Sequence, residues 1–379
     1  MDAGVPLVDL SPALRMALMV LLVALLPLGW IWLRQRGQDT GARIAALTAL
    51  TVFLTFDLIV FGSFTRLTDS GLGCPDWPGC YGEVSPFGAR DDIQAAQSAM
   101  PTGPVTWSKA WIEMIHRYLA MTVGVLILVM AAVSWAGRRS LPHSPWWPTV
   151  TLVWVIVQGL FGKYTVTLKL YPAIVTLHLL GGMLLLALLV TQHEAWRGRP
   201  LALAPPLRRL LGWTLAAVGL QIALGGWVST NYAVLACRGF PDCNGQWWPN
   251  MAFSEGFTLL RELGHAGHGA LLSFDALVAI HMVHRLFALV VLGLLLNLAW
   301  RLWRDGGTAL HRHAMLFAGL AGWQLASGLS NVVLDWPIVA ALAHSAGAAA
   351  LVGVGTSLWA RSKVVARRQA SASVQRAPA

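Results

Sequence analysis

The sequence predicts an all-α polytopic membrane protein: two tandem four-helix bundles of the same topology, preceded by one extra N-terminal transmembrane helix. Three observations carry this. The 379-residue chain is 56% hydrophobic and only 12% charged, whereas a soluble domain is about one quarter charged. Its apolar residues gather in runs of about 20, the length that crosses a bilayer as a helix, and Arg-rich loops follow alternate runs. A short motif also recurs: Glu113-Met114-Ile115-His116-Arg117 and His281-Met282-Val283-His284-Arg285 each open an apolar run.

The first run, Ala13 to Leu33, could be a signal peptide. However, Asp2 and Asp9 precede it while Arg34 and Arg36 follow it, which is the charge order of a helix with its N-terminus outside. Ile44 to Phe64 then runs outward to a loop carrying Cys74 and Cys80, followed by a polar segment to about Ser108. Ile112 to Trp135 returns to Arg138 and Arg139. Trp147 to Leu168 goes out, a turn holds Tyr171-Pro172, and Ala173 to Gln192 comes back to Arg197, Arg199, Arg208 and Arg209. Leu210 to Thr230 leads to a second loop with Cys237 and Cys243, and Phe253 to Leu263 reads as an interfacial helix. Ala276 to Trp303, Met315 to Leu334 and Pro337 to Trp359 complete nine spans.

The net charge of +10 sits in inner loops and in the tail (Arg361, Lys363, Arg367, Arg368, Arg376). That distribution is the positive-inside signature and not a nucleic-acid patch. It places the C-terminus in the cytoplasm. The two cysteine pairs have equal spacing on the outer side, which predicts two disulfides in an oxidising compartment. Each pair is open to two readings, a structural staple or a reducible bond that relays electrons or thiol status. The staple is favoured for Cys237/Cys243.

Spans two to five and six to nine form a repeat. Gln158 precedes His178 by 20 residues and Gln324 precedes His344 by 20; Gly162 and Gly328 lie four residues after those glutamines. Both halves run in the same direction, unlike the inverted repeats of many transporters. The predicted divisions are 1–42 for the extra helix and inner loop, 43–200 for the first bundle, 201–362 for the second and 363–379 for the basic cytoplasmic tail.

His116 and His178 in the first half, and His284 and His344 in the second, all lie near outer helix ends. At about 1.5 Å per residue they fall about 5–12 Å below the outer surface. Lone intramembrane histidines can be helix–helix hydrogen-bond partners. Four at one depth, two per repeat, instead fit bis-histidine haem ligation within helix bundles. His281 takes the place of Glu113 and reads as a residue beside the iron or its access path. His265 and His268 in the outer segment, and His143, His193, His311 and His313 near inner loops, read as surface residues. Glu113 lies one turn from His116, where its carboxyl group is a candidate acid beside a haem substrate. The alternative is a carboxylate that pairs with Arg117 or a loop residue. Arg66, Arg117 and Arg285 are candidates for pairing with haem propionates, with snorkelling as the alternative.

Thr65-Arg66-Leu67-Thr68-Asp69-Ser70-Gly71-Leu72, followed by Cys74-Pro75-Asp76-Trp77-Pro78, resembles the first outer loop of the haem A synthase family, in its cysteine-bearing bacterial class. Glu113-x-x-His116-Arg117, Leu177-His178, Gly225-Gly226-Trp227-Val228, His284-Arg285 and His344 match as well, so the resemblance covers residues 44–360. It implies oxidation of the C8 methyl group of haem O to a formyl group, giving haem A for terminal oxidases. It also implies that the first half holds the substrate at His116 and His178 with Glu113 essential, and that the second half binds haem b between His284 and His344. The extra first helix departs from the eight-span family core.

The implied chemistry is two hydroxylations of one methyl group, then loss of water from the geminal diol, with haem b passing electrons. The resemblance further implies haem O synthase as substrate donor and cytochrome oxidase assembly as product acceptor, in the bacterial inner (plasma) membrane. A homo-oligomer is compatible with it, and no nucleic acid is expected. Four histidines alone also fit a di-haem b electron carrier of the quinol or ferric reductase type; Glu113 standing where the second half has a histidine favours the enzyme. A thiol-oxidising membrane protein would use the cysteines but leaves the histidines without a role.

Overall fold

The computed structural model describes residues 11–267 and 269–375, with side chains for 14–267 and 269–362. Expectations placed on Asp2, Asp9, His268 and the side chains of 363–379 lie outside the described residues. Eleven α-helices and no strands occur among those residues: α1 (Ser11–Arg34), α2 (Thr40–Leu67), α3 (Arg90–Ala99), α4 (Trp107–Ala136), α5 (Trp146–Thr167), α6 (Pro172–Arg197), α7 (Pro205–Thr230), α8 (Phe253–Gly256), α9 (Phe274–Asp305), α10 (Thr308–Val333) and α11 (Ile338–Gln375). The protein is thus all-helical, and eight of its described helices are long and apolar enough to cross a membrane. The ninth predicted span is α10. It has the length, but Arg312, Gln324, Ser327, Ser330 and Asn331 lower its apolarity.

The helix boundaries follow local chemistry. Asp39, Thr106 and Ser273 accept from the backbone amides of Ala42, Lys109 and Ala276, which caps α2, α4 and α9. Pro172 and Pro205 open α6 and α7, where the missing N–H costs nothing. Gly198 ends α6 with φ of 59°, a left-handed conformation that glycine adopts without a Cβ penalty.

The chain divides into two compact units. In the first, α4 packs on α1 and α5, and α3 packs on α4. One buried core cluster gathers Met16, Cys74, Cys80, Ala89, Ile93, Ala110 and Met114. The second contains α6 to α11 and the Thr55–Val60 stretch of α2. Here α9 packs on α7 and α10, and α11 on α6, α7 and α10. The helix α6, which the repeat places in the first half, is grouped with this second unit.

One local expectation is corrected, and two segments gain detail. The polar segment after the first cysteine loop contains α3, an amphipathic helix that buries Ile93. The interfacial helix expected over Phe253 to Leu263 is only the four-residue α8. Gly256 ends it against α9, where an added Cβ would lie 2.8 Å from the Ala276 carbonyl oxygen. Glu255 accepts from the amide and hydroxyl of Ser273 (2.7 and 2.6 Å), so the segment is tied to the start of α9. Finally, α11 runs on past Trp359 to Gln375.

Candidate functional site

In the first unit, α4 and the cysteine loop are joined by one buried cluster. Arg117 donates to the carbonyl oxygens of Asp76 (2.9 Å), Pro78 (3.2 Å) and Gly79 and also pairs with Glu113. The other Glu113 oxygen accepts from the Cys74 amide at 2.8 Å. Both side chains are nearly sealed, with Glu113 4% and Arg117 8% exposed. Glycine is required at position 73, since a Cβ there would sit 2.5 Å from the Lys109 carbonyl. That close approach is what lets the loop lie on the start of α4.

The second unit repeats the device. Arg285 donates to the carbonyls of Cys237 (2.7 Å), Gly239 (3.1 Å) and Asp242 (3.1 Å). Its Nε donates to His281 Nε2 at 3.1 Å, so His281 occupies the slot that Glu113 fills in the first unit. Arg117 and Arg285 were propionate candidates, with snorkelling as the alternative; in the structure both guanidinium groups donate to loop carbonyls. Arg66 is paired with the exposed Asp69 at 3.1 Å. Both disulfides form, Cys74–Cys80 and Cys237–Cys243. Their cysteines are at most 2% exposed, and a buried sulfur gives an attacking thiolate no approach. The staple reading is the one this burial supports for both pairs.

A consequence is testable. Arg117→Ala leaves Glu113 buried without its counter-charge and three loop carbonyls without a donor. Breaking such a pair costs about 3–5 kcal/mol, so the melting temperature in detergent should fall clearly. An unchanged Tm would show that the clamp does not hold the loop.

The four predicted histidines lie on four different helices, each on its predicted span. His116 stacks on Phe61 (centroids 6.4 Å, planes 10° apart), and its ring rests on α2 at Gly62, where a Cβ would lie 2.9 Å from Nε2. His284 rests on α7 at Gly225 in the same way, with a Cβ-to-Cε1 distance of 2.9 Å. Gln221, one turn earlier on α7, donates to the His284 carbonyl and lies 3.1 Å from Nδ1. His344 rests on α10 at Gly328 (3.3 Å), Gln324 donates to its carbonyl at 3.0 Å, and Ser327 Oγ lies 3.0 Å from its Nδ1. In the second unit, then, two imidazoles are held by small and polar neighbours. Imidazole nitrogens on two helices of one unit are ligands of the kind that hold the iron of a haem.

The remaining histidines are less exposed than expected. His143, His193, His265, His311 and His313 are all half-buried, and His311 stacks on Trp303 at 4.2 Å. Sequence reasoning did not single out Gln221, Ser327 or Arg261. The first two stand within one turn of the glycines that face the histidines, which is the signal that could have found them. Arg261 had no such signal. It is buried over Trp227, bonded to Asn231 and to the His265 carbonyl.

A family model described as COX15-CtaA, cytochrome oxidase assembly protein, matches residues 45–356. The chain belongs to this family. Among its curated relatives is the Heme A synthase of Shewanella oneidensis, 38% identical over 331 residues, which are 85% of this chain and 98% of the relative. The Heme A synthase of Caulobacter vibrioides is 28% identical over 84% of this chain and 96% of its own. That of Shouchella clausii is 30% identical over 62% and 73%. The matched region begins within α2, so α1 lies outside what the family model covers.

Proposed function

We propose that this protein is a haem A synthase that oxidises the C8 methyl group of haem O to a formyl group by successive hydroxylations. The observation that carries the reading is the asymmetry of one slot. In two otherwise equivalent motifs, each bonded to its arginine, the first unit has Glu113 and the second has His281. A carboxyl group beside one histidine and an imidazole beside the other differentiate a reacting half from a cofactor half. Membership of a family named for cytochrome oxidase assembly, with relatives named Heme A synthase, supports the same reading.

In this proposal His284 and His344 hold haem b, which when bound supplies electron transfer to or from the substrate. Gly225 and Gly328 admit the two rings against neighbouring helices, and Gln221 and Gln324 pin the backbone that carries them. On the resemblance of their motifs, His116 and His178 are assigned to the substrate haem. Glu113, held by Arg117 and the Cys74 amide, is assigned to proton handling near it. With Arg117 and Arg285 committed to the loops, Arg66 is the remaining propionate candidate of the three. The halves are taken as two four-helix bundles in a bacterial inner membrane, with the N-terminus outside and the C-terminus cytoplasmic, from the arginine distribution. Haem O synthase is the proposed donor and cytochrome oxidase assembly the proposed destination.

Pigment extraction tests the proposal. Protein purified from a haem O-producing host should carry haem O or haem A beside haem b. Haem b alone, in protein that also yields no haem A in that host, would replace it with the di-haem carrier.

A further inference from the structure

We infer that Ser327 is a positioning residue for the haem b ligand His344: its hydroxyl oxygen accepts the Nδ1 proton and so holds the imidazole in the tautomer that offers Nε2 to iron. This rests on the ligand assignment proposed above and adds to it a specific residue and role. The argument is one of hydrogen-bond accounting. A serine hydroxyl has one proton and two lone pairs. Ser327 Oγ lies 2.7 Å from the Trp323 carbonyl oxygen in the preceding turn of α10, an acceptor that can only take that proton. The same Oγ is 3.0 Å from His344 Nδ1. With its proton committed, the oxygen meets Nδ1 through a lone pair, so Nδ1 carries the hydrogen and Nε2 is unprotonated. Ser327 is 7% exposed, so water competes little for the bond. Trp323 is itself fixed, donating from Nε1 to the Ala343 carbonyl at 2.8 Å, and Gln324 donates to the carbonyl of His344. Two neighbours on one stretch of α10 therefore hold His344, and a third holds the residue before it in α11.

The first half lacks this arrangement. The offset that pairs Gln158 with Gln324, Gly162 with Gly328 and His178 with His344 pairs Ser327 with Phe161, which has no hydroxyl. His178 Nδ1 is buried without a hydrogen-bond partner among the described residues. A ligand held in one tautomer suits a resident cofactor, whereas a ligand without that restraint suits a haem that must arrive and leave.

The test uses the purified holoprotein. Loss of an outer hydrogen bond to a ligating imidazole typically weakens metal-site affinity about 10- to 100-fold. Ser327→Ala should therefore retain haem b about 10-fold less well against an apo-haem acceptor. Its haem b midpoint potential should rise, because an Nδ1–H bond makes the imidazole a stronger donor to ferric iron. Ser327→Thr keeps the acceptor and should restore both properties. If Ser327→Ala does not fold, Ser327→Gly removes the same acceptor without adding apolar bulk and carries the same expectation. His344→Ala separates the two levels of the argument. Retention of the b-type band in His344→Ala would overturn the ligand assignment itself. Loss of that band, together with parental retention and potential in Ser327→Ala, would overturn the role of Ser327 alone.

Discussion

Glu113→Gln should yield protein that folds, keeps its b-type spectrum and accumulates haem O or a hydroxylated intermediate in place of haem A. Removing a positioned acid–base group typically costs about 10²–10⁴ in rate. The structure makes glutamine the sharper substitution. Glu113 is buried, neutralises Arg117 and accepts from the Cys74 amide, so alanine would remove a counter-charge and a loop anchor as well as a reactive group. Glutamine keeps the shape of the side chain and one acceptor oxygen where Glu113 offers two, one to Arg117 and one to the Cys74 amide, so it removes ionisation with the least disturbance of the loop anchor. Its amide still leaves Arg117 without a negative partner, so a modest fall in Tm is expected beside the large fall in turnover. Chromatography of haems extracted from the variant reads the result. Normal haem A from a folded Glu113→Gln protein would reduce the carboxylate to a tie between α4 and the cysteine loop.

The second large effect concerns the cofactor half. His344→Ala or His284→Ala should abolish the low-spin b-type band in a reduced-minus-oxidised spectrum, since one imidazole cannot supply both axial positions of a six-coordinate iron. Because each ring rests on a glycine of a neighbouring helix, truncation leaves a void and removes no buried ion pair. The protein should stay folded, so the spectrum reports ligation and not collapse. An unchanged band in a folded variant would transfer the ligand role elsewhere.

These expectations depend on two kinds of information. Most membrane-crossing segments could be read in one dimension, because the requirement is an apolar stretch of about 20 residues and nothing about its neighbours. The repeat, the equal cysteine spacing and the four histidines in the N-terminal parts of their helices were legible for the same reason: each is a matter of position along a chain whose helical rise is known. Irregular segments were not. The polar stretch before α4 conceals α3, and the stretch after the second cysteine loop holds only α8, because Glu255 and Gly256 find partners on α9. The range of α10 was legible, but its polar side chains face tasks inside the fold that composition does not reveal.

By itself, then, the sequence determined an all-helical membrane protein with two copies of one histidine-bearing motif, since hydrophobic length and motif spacing are local properties of the chain. Only the tertiary structure decided what the charged and polar groups around those motifs touch. Arg117 and Arg285 turned from propionate candidates into clamps on the disulfide loops because folding brings three backbone carbonyls to each guanidinium. The sulfurs became sealed for the same reason. Ser327, an unremarked residue of α10, gained a role only when α11 set His344 Nδ1 3.0 Å from its hydroxyl. A buried polar group must find its partner within hydrogen-bond distance, and which partner lies there is fixed by packing between segments far apart in the chain.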